Sequence, residues 1–424
     1  MRLLSSSDSL IVFSSGLFQQ SIRLSVITFP KLVLSITFAL QNRSLHICII
    51  NLLSDKPYIQ MEKIENIEHW YFPSPIPEQR TSDSQKQRAL YFRNVVYLLQ
   101  LHIKDKKDLV FHLNYHQNES LVSELKEAFD CKIISVAHFS DWGFTVFDNL
   151  NRLRNILNEE HPDSFSENVK KSFEEERAYY TQVDHTICLS NYMKKILCQD
   201  YGLDSMKVSV VPNGLGDVVD MSVDKELLRK KWHVGPKEKI ILFAGRIDEI
   251  KGVSSLIKAF HLVLEAYPNS RLLIAGNGDY TRAFQEAKNI YTKITFTGLL
   301  KKEELFEIYQ LADAGVVPSL FEPFGYVPVE MMMHELPIIA TTTSGLNEVV
   351  DESCGLKVPL IVSPDNVEID TSLLAQKIVY LLQNPEEAKR LGKNGRKRYL
   401  EKYSSEVFGK NMIEFYKSLF QECK

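Results

Sequence analysis

Apolar and polar positions along the chain fall into two successive series of short strands and longer helices. Apolar runs rich in Val and Ile predict strands over Leu109–His112, Lys132–Ala137, His185–Leu189 and Val208–Val211. Between them, helical spacing predicts helices over Ser120–Phe129, Ser166–Thr181 and Tyr192–Tyr201. A second series begins after Asn213-Gly214. Its strands are expected over Ile240–Ala244, Arg271–Ala275, Ile294–Thr297, Gly315–Pro318 and Pro337–Ala340. Its helices are expected over 253–267, 280–289, 302–312, 326–334, 346–350 and 372–383. Alternation of strand and helix makes parallel sheets covered on both faces. Two such series predict an α/β protein with two doubly wound domains, linked around Gly216–Asp224.

The first fifty residues depart from this regularity. Ile22 to Leu40 is apolar except for Arg23, Pro30, Lys31 and a few hydroxyls. Two charges and a proline argue against a membrane span or a signal core, so a core helix is expected, followed by the strand His46–Ile50. The Ser-rich start, Met1 to Ser9, reads as an unstructured extension.

Composition narrows the function. The chain has 424 residues, with 50 Lys and Arg against 54 Asp and Glu, a net charge of −4. That balance excludes a general nucleic-acid binder, which needs a basic excess. The apolar fraction of 44% excludes wholesale disorder and a multispanning membrane protein. The cysteines at 48, 131, 188, 198, 354 and 423 include no Cys-x-x-Cys pair. They read as thiols in a reducing cytosol, and the Asn42 and Asn118 sequons as chance. One basic run stands out: Lys389, Arg390, Lys393, Arg396, Lys397, Arg398 and Lys402. It reads as a solvated helix face, with contact to an anionic lipid surface as the alternative.

Ligands of open α/β sheets bind beyond the carboxyl ends of strands. After Ile240–Ala244 comes Gly245-Arg246-Ile247-Asp248-Glu249-Ile250-Lys251-Gly252. Two cations at the mouth of a helix, beside a glycine that admits close backbone approach, suit a diphosphate. After Arg271–Ala275 comes the glycine-rich turn Gly276-Asn277-Gly278-Asp279. After Gly315–Pro318 comes Ser319-Leu320-Phe321-Glu322-Pro323-Phe324-Gly325-Tyr326-Val327-Pro328-Val329-Glu330. Here one carboxylate lies in the loop and a second about two turns into the next helix, where it can accept bonds from vicinal hydroxyls. After Pro337–Ala340, Thr341 to Glu348 offers consecutive backbone N–H groups at a helix start. Four strand ends of the second domain thus converge on one polar, anion-receptive cleft.

Gly245-Arg246…Lys251-Gly252, Val211-Pro212-Asn213-Gly214, Glu322-Pro323-Phe324-Gly325…Glu330 and Ser344-Gly345…Glu348 together resemble the retaining glycosyltransferases of family 4. The resemblance implies the GT-B fold, two Rossmann-like domains facing across a cleft. It implies an acceptor-side domain over 1–217, a donor domain over 218–402, and a terminal segment 403–424 whose helix, Val407–Phe420, crosses back. Gly245, Arg246, Lys251 and Asn277 would line the diphosphate side of the donor site. Glu330 would bind the ribose hydroxyls. Glu322 and the Phe324-Gly325 backbone would address the donor sugar, with Ser344, Gly345 and Leu346 adding backbone donors. Pro212-Asn213-Gly214 would form the elbow into the linker.

On the acceptor side the resemblance points to His138, in Val136-Ala137-His138-Phe139-Ser140-Asp141-Trp142, as a catalytic residue beside Glu322, Arg246 and Lys251. His112 and His116 are secondary candidates. Where the family has a Gly-Gly loop after its first strand, this chain has Ser14-Ser15-Gly16 after Leu10–Phe13, so Gly16 is the acceptor-loop candidate. Two further departures are Glu335, where glycine often follows the helix, and Pro328 inside its first turns. The implied substrates are a UDP- or GDP-sugar and a glycan, lipid-linked or protein acceptor. The implied setting is the cytoplasm, or the inner face of a membrane.

No Asp-x-Asp occurs in the chain, so no cofactor or metal is expected and Arg246 and Lys251 would carry the leaving-group charge. Two other readings compete. One is a non-catalytic partner that keeps the fold and binds a glycan or another transferase. The other is a nucleotide-sugar epimerase.

Overall fold

The computed structural model describes residues 9–15, 46–64, 67–74, 83–103, 109–114, 119–220 and 223–421. The expected helix over 22–40, Gly16, His116 and Cys423 lie outside them.

The first sheet contains β1 (Ser9–Ser15), β2 (His46–Ser54), β3 (Gln60–Ile64), β4 (Ile67–Pro73), β5 (Leu109–Asn114), β6 (Cys131–Ala137), β7 (His185–Cys188) and β8 (Val208–Val210). Their order is β3-β4-β2-β1-β5-β6-β7-β8, and every pair is parallel except β3 with β4. The second sheet contains β9 (Lys239–Ala244), β10 (Ser270–Ala275), β11 (Ile294–Gly298), β12 (Ala314–Val317), β13 (Ile338–Thr341) and β14 (Gly355–Val358). It is wholly parallel, in the order β11-β10-β9-β12-β13-β14. The strand order reverses between β9 and β12, the doubly wound arrangement that opens a crevice at that point.

The central strands are buried on both faces, as the unbroken apolar runs require: Leu109–Asn114 and Ile338–Thr341 are buried throughout. The helix Val253–Ala266 shows the matching period. It buries Val253, Leu256, Ile257, Phe260 and Val263 against the sheet.

Several elements were not foreseen. The β3–β4 hairpin is a sheet edge whose first strand is mostly exposed, so its side chains carry no burial pattern. The helix Asp83–His102, the helix Lys225–Lys231 and the hairpin of β15 (Leu360–Val362) with β16 (Val367–Ile369) were also missed. The expected helix over 346–350 is a single turn, Leu346–Val349.

The two sheets share an apolar seam. It joins Ile134, Ile187 and Val211 to Leu242, Met331 and Met332 through Tyr399, Phe408 and Tyr416. The chain crosses between sheets twice, and the crossings run side by side. Leu215 N–H donates to Tyr403 O, and Ser405 N–H to Leu215 O, both at 2.8 Å. Gly214 permits this, since a Cβ there would stand 2.5 Å from Phe408 Cβ. The last helix, Ser405–Gln421, then lies on the first sheet. Tyr416 Oη meets His112 Nδ1 at 2.7 Å, the Phe415 ring sits 5.0 Å from His185, and Lys132 Nζ donates to Leu419 O at 3.2 Å.

Much of the basic run serves this architecture. Arg396 donates to Met333 O and pairs with Asp217 across the linker. Arg398 pairs with Asp351 and caps the carbonyls of Glu348 and Val349 at 2.6 and 2.9 Å. Among the described residues, no helix is long and apolar enough to cross a membrane.

Candidate active site

Loops after β9, β10, β12 and β13 are stitched into one rim by their own backbones. Ile247 N–H donates to Asn277 O and Asp279 N–H to Ile247 O, both at 2.9 Å. Leu320 N–H donates to Ile250 O at 2.7 Å. Glu322 N–H donates to Ser344 Oγ at 3.0 Å, and that hydroxyl donates back to Glu322 O at 2.8 Å. Leu346 N–H also donates to Glu322 O, at 3.1 Å.

Two glycines make the stitching sterically possible. A Cβ on Gly252, which has φ 69°, would stand 1.9 Å from Pro318 O; one on Gly345 would stand 1.8 Å from Pro323 O. The structure therefore brings together Gly245, Arg246, Lys251, Asn277, Glu322, Phe324, Gly325, Ser344, Gly345 and Leu346 on adjoining loops of one sheet end.

The charges in this rim are paired. Lys251 Nζ meets Glu322 Oε2 at 2.5 Å, and Arg246 meets Asp248 at 3.1 Å. Asp248 also accepts from Lys251 N–H at 2.9 Å, which turns the chain into the following helix. Glu330 is the fifth residue of the helix Tyr326–Met333, a little over one turn in rather than two, and is 5% exposed. Pro328 falls in the first turn, where its missing N–H breaks no intrahelical bond. Tyr309 donates to Glu330 Oε2 at 2.9 Å, and the His334 ring Nδ1 lies 2.7 Å from Glu330 O.

His138 follows β6 and is buried, its Nε2 2.5 Å from Asn114 Oδ1 at the end of neighbouring β5. Burial, with a smaller contribution from His112, pushes its pKa down to about 3, so the ring is neutral. A neutral ring donating Nε2–H to an amide oxygen presents Nδ1 as an acceptor. His112 is also buried, with its pKa pushed down to about 4, and its ring is engaged by Tyr416 of the last helix. The loop carrying His138 abuts the loop carrying Glu322. Phe144 packs edge-on to Phe321 at 4.9 Å, and a Cβ on Gly143 would stand 2.5 Å from the Phe321 ring.

Sequence reasoning named Glu348 only as part of the donor-side motif, and missed Asp148, Asn191 and Tyr192, which with it tie the two sheets together at this cleft. Asp148 accepts from Tyr192 Oη at 2.6 Å and from the Ser344 backbone; burial, opposed by these bonds, pushes its pKa up to about 7. Glu348 accepts from Asn191 N–H, Asn191 Nδ2 and Tyr192 N–H at 2.9, 3.0 and 2.6 Å. No spacing in the sequence links these positions.

The family model described as "Glycosyltransferase Family 4" matches residues 62–216, and that described as "Glycosyl transferases group 1" matches 224–398. An uncharacterised glycosyltransferase of Methanocaldococcus jannaschii is 29% identical over 238 residues, which cover 54% of this chain and 59% of the relative. The chain spans less than two thirds of the length of the first curated relatives it matches. Sucrose-phosphate synthase from Thermosynechococcus elongatus superposes with a TM-score of 0.74 at 21% identity, covering 98% of this chain and 100% of that one. Anabaena HepE, solved in complex with UDP, superposes with a TM-score of 0.68 at 16% identity, covering 97% and 100%. These likenesses give the fold, and the two family matches fall one on each sheet. The chain belongs to the family 4 glycosyltransferases and has their GT-B fold of two Rossmann-like domains.

Proposed function

We propose that this chain is a retaining glycosyltransferase. It moves a hexose-type sugar from a nucleoside diphosphate to a hydroxyl of a glycan, lipid-linked or protein acceptor, without a metal. The observation that carries the reading is the Lys251–Glu322 contact at the point where the strand order of the second sheet reverses. A cation there, with Arg246 and the Ser344–Leu346 backbone, suits a diphosphate whose negative charge grows as the sugar departs. Glu322 then faces the sugar and Glu330 the ribose. HepE's complex with UDP supports a uridine nucleotide as donor, and a guanosine nucleotide is the alternative.

In the reaction, the bond from the sugar C1 to the diphosphate oxygen breaks and the acceptor oxygen bonds to C1 on the same face. The acceptor proton passes to the departing phosphate. His138, neutral and fixed by Asn114, orients a donor-sugar hydroxyl rather than moving the proton. The reading fits a cytoplasmic enzyme working at the inner membrane face when its acceptor is lipid-linked.

Incubation with a panel of UDP- and GDP-sugars tests it. Release of free nucleoside diphosphate is expected, with the anomeric configuration kept in the product. Nucleotide-sugar binding with no release, on any acceptor class, would make the chain a non-catalytic glycan-binding partner.

A further inference from the structure

Glu330 sits in a helix whose neighbours hold it at two atoms. Its Oε2 accepts from the Tyr309 hydroxyl at 2.9 Å, and its carbonyl oxygen takes the His334 ring at 2.7 Å. Tyr309 is 1% exposed and comes from the preceding helix, Lys302–Leu311. Its ring packs 5.2 Å from His334 and 6.0 Å from Phe306, and Phe306 itself packs on His334 at 4.6 Å. Tyr309 and His334 border a cavity together with Lys239, Asp313 and Pro337, which lie at the starting ends of the strands. The tyrosine thus supports Glu330 from the end of the sheet opposite the loops that carry Lys251 and Glu322.

The bond from Tyr309 takes one of the roughly four lone-pair sites of the carboxylate and fixes the plane in which the others lie. A side chain whose rotamer is locked by a neighbouring hydrogen bond holds its ligand geometry better than one left to rotate. Burial and the Glu330 charge hold the Tyr309 hydroxyl well above its usual pKa, so it remains a donor across the working range.

We propose that Tyr309 is a positioning residue. It fixes the Glu330 carboxylate toward the ribose hydroxyls, and so sets a preference for ribonucleotide over 2′-deoxyribonucleotide donors. This rests on the reading of Glu330 as the ribose carboxylate.

The full chain, titrated calorimetrically with UDP, GDP and their 2′-deoxy counterparts, tests it. The wild type is expected to favour the ribonucleotide, and Glu330→Gln to lose that preference. Tyr309→Phe should cut the ribo-to-deoxy affinity ratio by about ten-fold, the size expected of one hydrogen bond to a charged group. Its affinity for the deoxynucleotide, which keeps only the 3′-hydroxyl, should fall by less, and an unchanged circular dichroism spectrum should report an intact fold. The double variant should show no further loss beyond Glu330→Gln.

Tyr309→Phe with the full ratio, where Glu330→Gln loses it, would overturn the inference and leave the ribose reading standing. Equal weakening of both nucleotides would also overturn it, since only packing would then have changed. A Glu330→Gln variant that keeps the ratio would remove the ribose reading itself, and this inference with it.

Discussion

Lys251 and Glu322 form the less exposed of the two ion pairs in the rim, with side chains 18% and 16% exposed against 40% and 31% for Arg246 and Asp248. On the proposed reading, removing Lys251 withdraws a cation from the diphosphate; it also leaves Glu322 partly buried without its counter-charge. Lys251→Ala should therefore lower kcat by a factor of about 10² to 10³, roughly 3–4 kcal/mol of transition-state stabilisation. Excess EDTA should leave wild-type turnover nearly intact; activity abolished by EDTA and restored by Mg²⁺ would mean that a metal carries the leaving-group charge. Steady-state kinetics with and without chelator reads both effects.

A second residue-scale prediction concerns backbone strain. Glu335 has φ 57°, a left-handed conformation that costs a non-glycine residue about 1 kcal/mol. Glu335→Gly should raise the unfolding free energy by up to about 1 kcal/mol, seen as a thermal midpoint higher by roughly a few degrees at most, and a lower midpoint would mean that the glutamate's contacts outweigh the strain. The sequence pointed to Lys251, Glu322 and Glu330 because each follows a strand end at a distance that marks a loop or a helix start. Tyr309 and Asp148 were not legible. Their importance comes from contacts across elements, which one-dimensional spacing does not encode.

At the scale of elements, the short helix Asp141–Val146 follows the loop that carries His138, and its start is held by a buried network. Asp141 N–H donates to Glu176 Oε1 at 2.6 Å, Tyr201 Oη donates to Glu176 Oε2, and Trp142 Nε1 donates to Tyr201 Oη at 2.9 Å. Burial pushes the Glu176 pKa up to about 8, against about 4.5 when unfolded. The native state therefore holds a proton between those values that the unfolded chain releases. The stabilisation is complete below pH 4.5 and is lost as pH rises through 8. Wild-type thermal midpoints should fall between pH 6 and 9, and those of Glu176→Gln should fall less. Parallel curves by circular dichroism would show that Glu176 does not titrate there. The central strands were legible because burial on both faces leaves unbroken apolar runs. The β3–β4 edge was not, because its first strand faces solvent and carries charged residues at Glu62 and Lys63.

The whole molecule turns on how the two sheets are joined at the cleft. Glu348 belongs to the single helical turn Leu346–Val349, which begins at the Ser344–Leu346 backbone assigned to the donor phosphate and sugar. From there its carboxylate reaches into the other domain and caps the start of the helix Asn191–Gln199 with three bonds. An anion at a helix N-terminus is stabilised by unpaired N–H groups and by the helix dipole. Nearby, Asn149 Nδ2 donates to Ser363 O at 2.8 Å, Arg152 donates to Asp365 O at 3.0 Å, and Asp148 takes the Ser344 N–H. One turn of chain thus joins the loop proposed to meet the donor to the contact between the two sheets. On the proposed reading of the Ser344–Leu346 backbone, this turn would couple domain arrangement to donor binding. Glu348→Ala removes the only carboxylate among the described residues that caps this helix, a loss of about 1.5–3 kcal/mol for charge-assisted bonds. The two domains should then separate more readily: a larger radius of gyration in solution scattering, faster proteolysis within the linker around 216–224, and a raised KM for the donor. Glu348→Gln, which keeps an acceptor but not the charge, should fall between the two. An unchanged radius of gyration together with an unchanged KM would mean that the apolar seam from Ile134 to Tyr416 holds the domains without this clasp.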